Sequence, residues 1–154
     1  VFTQTYSDAL FSLDDNVSIS GSDWEAITQI RDSVSKSLET LRAAGDIGGA
    51  LEASVTIYAS DEIATLLAKL DDELRFVLIT STASVSRIDE KPADLETLSL
   101  NAFDYAVLTS KATGEKCVRC WHLRDDVGTH QEHPEVCARC ISNVHGTGEK
   151  RAIA

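Results

Sequence analysis

From Ser22 onward, apolar residues recur at Trp24, Ile27, Ile30, Val34, Leu38 and Leu41. Steps of three and four place them on one stripe of an α-helix. Ser22 with Glu25 three residues on is a capping-box pattern, Asp23 adds negative charge to the first turn, and Gly45 is placed to end the helix. The pattern predicts a helix of about five to six turns at 3.6 residues per turn. A single apolar stripe needs a partner face. No second helix of this length follows, so the expected partner lies upstream.

After the Gly48–Gly49 turn the periodicity changes. Ser54 to Ala59 alternates and is rich in β-branched residues, which predicts a strand. Ser60 is placed to cap a helix from Asp61 to about Leu70, with Asp61 and Glu62 favourably set at its positive end. The apolar run Arg75 to Thr82 reads as a buried strand, and Val85 as the start of an extended edge. Lys91-Pro92-Ala93-Asp94 reads as a loop, and Ala102 to Thr109 as a further strand. This order predicts an α+β (mixed) fold: a long amphipathic helix, a small α/β segment with about three strands, and a cysteine-bearing tail. Val55, Ile57, Phe76, Leu78 and Val107 are its expected core.

With 154 residues, 43% of them hydrophobic and 25% charged, the chain has the composition of a globular domain, not of a disordered or low-complexity segment. No stretch of 18 apolar residues occurs, so no membrane-spanning helix is expected. Residue 1 is valine and there is no methionine, and Val1 to Phe11 reads as the continuation of something upstream. The expectation is a piece cut from a longer chain.

The net charge of −11 argues against indiscriminate nucleic-acid binding. The distribution is uneven. Residues 1–110 hold 7 basic and 19 acidic side chains, whereas residues 111–154 hold 7 basic and 6 acidic ones, together with all four cysteines and all four histidines. This shift places a module boundary near residue 111.

The tail contains Cys117-x-x-Cys120, sixteen intervening residues, and Cys137-x-x-Cys140. Two such pairs are a zinc-site signature. Each pair on a tight turn points two sulfurs one way, and two facing turns supply the four corners of a tetrahedron, which zinc accepts at about 2.3 Å. Paired disulfides, a thioredoxin-type redox pair and an iron–sulfur cluster are the competing readings. Four thiolates leave no open coordination position, so the metal is expected to be structural, with one ion per chain. His122, His130, His133 and His145 read as surface or turn positions. Lys116, Arg119 and Arg139 flank the pairs and either offset the charge of the four thiolates or meet phosphate. Arg124, Lys150 and Arg151 are the better phosphate candidates. Trp121 reads first as a cap over the small metal core and second as a platform for a base.

The segments Gly114-Glu115-Lys116-Cys117-Val118-Arg119-Cys120-Trp121-His122 and Val136-Cys137-Ala138-Arg139-Cys140-Ile141-Ser142-Asn143-Val144 resemble the C-terminal zinc motif of bacterial isoleucyl-tRNA synthetases. The ending Gly148-Glu149-Lys150-Arg151 is similar as well. So are Ile47-Gly48-Gly49-Ala50-Leu51-Glu52-Ala53 and Asp72-Glu73-Leu74-Arg75-Phe76-Val77-Leu78, so the resemblance covers essentially the whole chain.

This resemblance implies a cytoplasmic enzyme of class I that activates isoleucine with ATP and transfers it to the isoleucine-accepting tRNA. It implies that Cys117, Cys120, Cys137 and Cys140 are the zinc ligands. It implies three parts: the end of an anticodon-binding helical region (1–48), a small α/β segment (49–110) and a zinc module (111–154). ATP and magnesium would belong to the absent catalytic part, since no His-Ile-Gly-His-type or Lys-Met-Ser-Lys-Ser-type motif occurs in these residues. The fragment itself is then expected to be non-catalytic and to assist tRNA binding and charging. Its partners would be tRNA and the upstream domains, with neither membrane nor DNA expected. The candidate RNA contacts are Arg119, Trp121, Arg124, Lys150 and Arg151. Two alternatives stay open: the zinc-finger end of a formamidopyrimidine-type DNA glycosylase, and a stand-alone zinc-ribbon binding module.

Overall fold

Helix α1 spans Gly21–Ala44 in the computed structural model, which describes residues 17–153. The expectation for Val1–Phe11 lies outside the described residues. The capping box forms two residues earlier than Ser22 and Glu25 suggested. The Asp23 N–H donates to Ser20 Oγ at 3.2 Å, and the Ser20 N–H donates to Asp23 Oδ2 at 3.0 Å. Asp23 also pairs with Lys69 at 2.9 Å, so the cap ties α1 to the rest of the fold. The helix ends at Gly45, whose φ of 86° is open to glycine and costly for a residue with a Cβ.

Four strands follow. β1 (Ala53–Ala59) is central and pairs in parallel with β2 (Thr82–Arg87) and antiparallel with β4 (Phe103–Lys111); β3 (Leu98–Leu100) adds to the far edge of β4. The sheet order is β2-β1-β4-β3. The register sets Ile57 opposite Val107 on one side and Val85 on the other. Along β1, burial alternates with every residue, the period of a sheet covered on one face.

The apolar stripe of α1 closes that face. Ile27, Ile30, Val34 and Leu38 are buried in one cluster with Val55, Ile57, Leu78 and Val107. Two hydroxyl pairs align the helix along β4: Ser33 with Tyr105 at 2.8 Å and Ser37 with Thr109 at 2.7 Å. The expectation of an upstream partner for the stripe is therefore corrected, because the chain's own sheet supplies it.

Helix α2 (Asp61–Ala68) begins where expected and stops two residues short of Leu70. Ser60 occupies its N-cap position through its backbone, the Ala64 N–H donating to the Ser60 carbonyl at 2.8 Å, while its side chain makes no capping bond. The segment expected as a buried strand over Arg75–Thr82 is instead helix α3 (Leu74–Leu78), followed by Ile79 in the left-handed region and a strand that starts at Thr82. A short apolar run does not separate strand from helix. Here parallel pairing of β1 with β2 decides it, since the chain must cross back before β2 can begin. Leu74 and Leu78, one turn apart, both face the core, and Arg75 forks onto Asp72 in the preceding turn at 2.7 Å. Phe76, expected in the core, is half-buried and faces the tail.

The tail adds a two-stranded ribbon, β5 (Glu115–Lys116) with β6 (Leu123–Arg124), and helix α4 (Ala138–His145). The mixed α+β class holds, with four strands in the main sheet where about three were expected. Among the described residues no helix is long and apolar enough to cross a membrane.

Candidate metal centre

The first cysteine pair sits in the turn of the β5–β6 ribbon. The Cys117 N–H donates to the His122 carbonyl at 3.0 Å and the Trp121 N–H to the Cys117 carbonyl at 2.9 Å. Trp121 closes this turn with a φ of 66°. Gly114, at φ 87°, lets the ribbon's strands meet: a Cβ there would lie 2.4 Å from the Arg124 carbonyl carbon. The second pair sits at the start of α4, with Cys137 as N-cap and Cys140 one turn in. The amide of Ala138 finds an acceptor in Asp126 at 2.9 Å, which satisfies an orphan donor of the first turn.

Two bonds stitch the knuckles together. The Val118 N–H donates to the Glu135 carbonyl at 3.1 Å, and the Cys137 N–H donates to the Cys117 sulfur at 3.4 Å. The four sulfurs lie within 4.8 Å of one another, with Cys120 and Cys137 at 3.7 Å. A tetrahedron with zinc–sulfur bonds of ~2.3 Å has an edge of ~3.8 Å. The donor set and spacing therefore fit a zinc ion, and no disulfide joins the four thiols. Cys117, Cys137 and Cys140 are buried and Cys120 half-buried, with Val127 and Val136 packed against them.

The electrostatics differ from one sulfur to the next. Burial pushes the Cys117 thiol up, but the backbone amides of Cys120, Cys137 and Arg119 outweigh it and bring the group down to about 6. Burial pushes the Cys120 and Cys137 thiols up. Arg119 places Nη1 3.4 Å from the Cys140 sulfur. Of the flanking cations, Arg119 thus faces the cluster. Lys116 reaches back to Glu52 at 3.1 Å, and Arg139 forks onto Glu149 at 2.5 and 2.8 Å.

Trp121 does not cap the metal core. It is 60% exposed, and the valines fill that role. His122, read as a surface or turn position, is instead 7% exposed, with its ring edge-on to Phe76 at 6.3 Å. Burial, aided by Arg75, Arg139 and Arg124, pushes its pKa down. His130, His133 and His145 form a stack with centroid spacings of 5.5 and 4.5 Å. Arg124 pairs with Asp126 at 3.5 Å, Arg151 pairs with Glu149 at 2.7 Å, and Lys150 is exposed. Sequence reasoning did not single out Asp126, Glu149 or the buried Arg75. The only available signal was their spacing from Arg124, Arg151 and Asp72.

Residues 114–143 match the family described as a zinc finger found in FPG and IleRS. Over its whole length the chain is 49% identical to the isoleucine–tRNA ligase of Psychromonas ingrahamii. It is 46% identical to those of Pseudoalteromonas atlantica and Haemophilus influenzae. It spans 16% of the length of each of these curated relatives, at their C-terminal end. The chain thus matches the C-terminal region of isoleucine–tRNA ligase, and its four-cysteine tail matches the zinc finger found in that enzyme.

Proposed function

We propose that this chain is the C-terminal part of a cytoplasmic class I isoleucine–tRNA ligase, and that it assists the binding and charging of isoleucine-accepting tRNA without being catalytic itself. Cys117, Cys120, Cys137 and Cys140 hold one structural zinc ion. The observation that carries this reading is the four-sulfur cluster at tetrahedral spacing, inside a chain whose whole length matches 16% of the ligases' length. A fourth thiolate closes the coordination shell, so the ion organises the tail and activates no water. Activation of isoleucine, with its ATP and magnesium, belongs to the part of the ligase that this chain does not span.

The division into residues 1–48, 49–110 and 111–154 accompanies this reading. So does an RNA-facing surface made of Arg119, Trp121, Arg124, Lys150 and Arg151. With a net charge of −11 on the chain, such a surface adds a few phosphate contacts to affinity supplied elsewhere. The named relatives being ligases favours this reading over the DNA glycosylase one. The test is titration of the zinc-loaded chain with isoleucine-accepting tRNA at several salt concentrations. Weak binding that falls with salt supports the proposal. Tight, salt-insensitive binding contradicts it.

A further inference from the structure

Residues 149–153 turn back from the tail onto the body, the part of the fold made by α1 to β4. Glu73, just before α3, accepts the backbone N–H groups of Ala152 at 2.5 Å and Ile153 at 2.8 Å. Ile153 packs, half-buried, against the main core. Next to this capture stands Phe76. Its ring carries three guanidinium groups: Arg151 at 4.0 Å, Arg75 at 4.2 Å and Arg139 at 4.8 Å, measured to the centroid. The His122 ring meets it edge-on.

The three arginines come from three places. Arg75 belongs to the body. Arg139 lies on α4 between two of the cluster cysteines. Arg151 lies in the returning segment. Glu149 binds Arg139 and Arg151 together, at 2.5 and 2.7 Å, and so locks the last two into one unit. Cation–π contacts and forked carboxylate bonds are directional, so this arrangement fixes an angle as well as a distance. Further ties between tail and body, among them Lys116 to Glu52, the Ala112 N–H to the Glu52 carbonyl and the Leu123 N–H to Ser81 Oγ, lie near the point where the chain leaves β4. The Phe76 cluster lies against both knuckles, meeting His122 of the first and Arg139 of the second.

We propose that residues 149–153 are a latch that sets the orientation of the cysteine-bearing tail on the body, with Phe76 and Glu73 as its catch. Arg139 is the positioning residue that joins the latch to α4, and through α4 to Cys137 and Cys140. The exposed Trp121 and Lys150 are therefore presented at a fixed angle to the sheet. The inference concerns orientation only and holds for any partner of the tail.

Residual dipolar couplings on the zinc-loaded chain test this. One alignment tensor is expected to fit both residues 21–111 and residues 126–148. Two variants release the latch: a chain ending at Gly148, and Glu73→Ala, which lies outside the tail and leaves its fold alone. In both, the single tensor is expected to be lost while zinc stays at one per chain. A single tensor surviving in Glu73→Ala overturns the proposal. So does the need for two tensors in the unaltered chain. Loss of zinc and of the α4 fold in the shortened chain also overturns it, because residues 149–153 would then belong to the tail's own core.

Discussion

The guanidinium of Arg119, in the first knuckle, lies 3.4 Å from the sulfur of Cys140, in the second. Among the described residues it is the cation hydrogen-bonded to a cluster sulfur across the gap between the knuckles. Contact with the Cys140 sulfur raises the pKa of Arg119. Arg119→Gln is expected to weaken zinc binding by roughly tenfold, the scale of lost outer-shell contacts to metal ligands. Competition with a chelator measures this, and the body's thermal transition is expected not to move.

Cys117 is fully buried and its sulfur accepts from the Cys137 amide. Cys117→Ser is expected to unfold residues 111–154 while sparing most of the body. Structural zinc supplies roughly 10–16 kcal/mol of apparent binding energy, and so small a tail has little else to hold it. Protease mapping with circular dichroism reads the result: cleavage confined to the tail, with the helical signal of α1 retained.

Glu149 is held at about 2, chiefly by hydrogen bonds from Arg139 and further by Arg151, against the opposing effect of burial. A depressed carboxylate stabilises the fold above its ordinary value of 4.5, and that contribution is lost as the pH falls towards 2. A carbon-detected titration of the Glu149 carboxyl is expected to show its midpoint near 2. Glu149→Gln is expected to lose this acid-range component of the pH dependence.

Gly114→Ala places a Cβ 2.4 Å from backbone carbon in β6, at a φ of 87°. Neither the ribbon nor the left-handed backbone can absorb that cheaply. The variant is expected to bind zinc less tightly and to melt at lower temperature, as read by calorimetry of the loaded form.

Ile30 is fully buried on the α1 stripe. Ile30→Ala is expected to cost about 2–5 kcal/mol in chemical denaturation, the usual range for a large-to-small change in a packed core. Arg42→Ala, which breaks an exposed pair with Glu39, is expected to leave stability nearly unchanged.

What the sequence revealed follows from how local each signal is. The α1 stripe from Trp24 to Leu41, the Gly45 cap and the β1 alternation are contained in their own residues, and the structure carries each of them. Each Cys-x-x-Cys pair was legible because its two sulfurs sit within four residues; the meeting of the two pairs rests on bonds such as Val118 N–H to the Glu135 carbonyl. The run Arg75 to Thr82 reads as a strand although its first part is helix α3, because an apolar run carries no period that separates helix from strand. The parallel partner that decides the matter lies in β1, some twenty residues away. The capping box went to Ser20 and Asp23, where Lys69, just past α2, adds an ion pair that no local pattern announces. Trp121 and His122 exchanged roles for a similar reason. Trp121 sits exposed in left-handed backbone, and the ring that meets the buried His122 belongs to Phe76 in α3.

Zinc-edge X-ray absorption on the purified chain reads the four-cysteine site itself. One zinc per chain with four sulfur neighbours at about 2.3 Å is expected. A chain with no stoichiometric zinc, or a shell in which nitrogen or oxygen replaces any of the four sulfurs, would contradict that expectation.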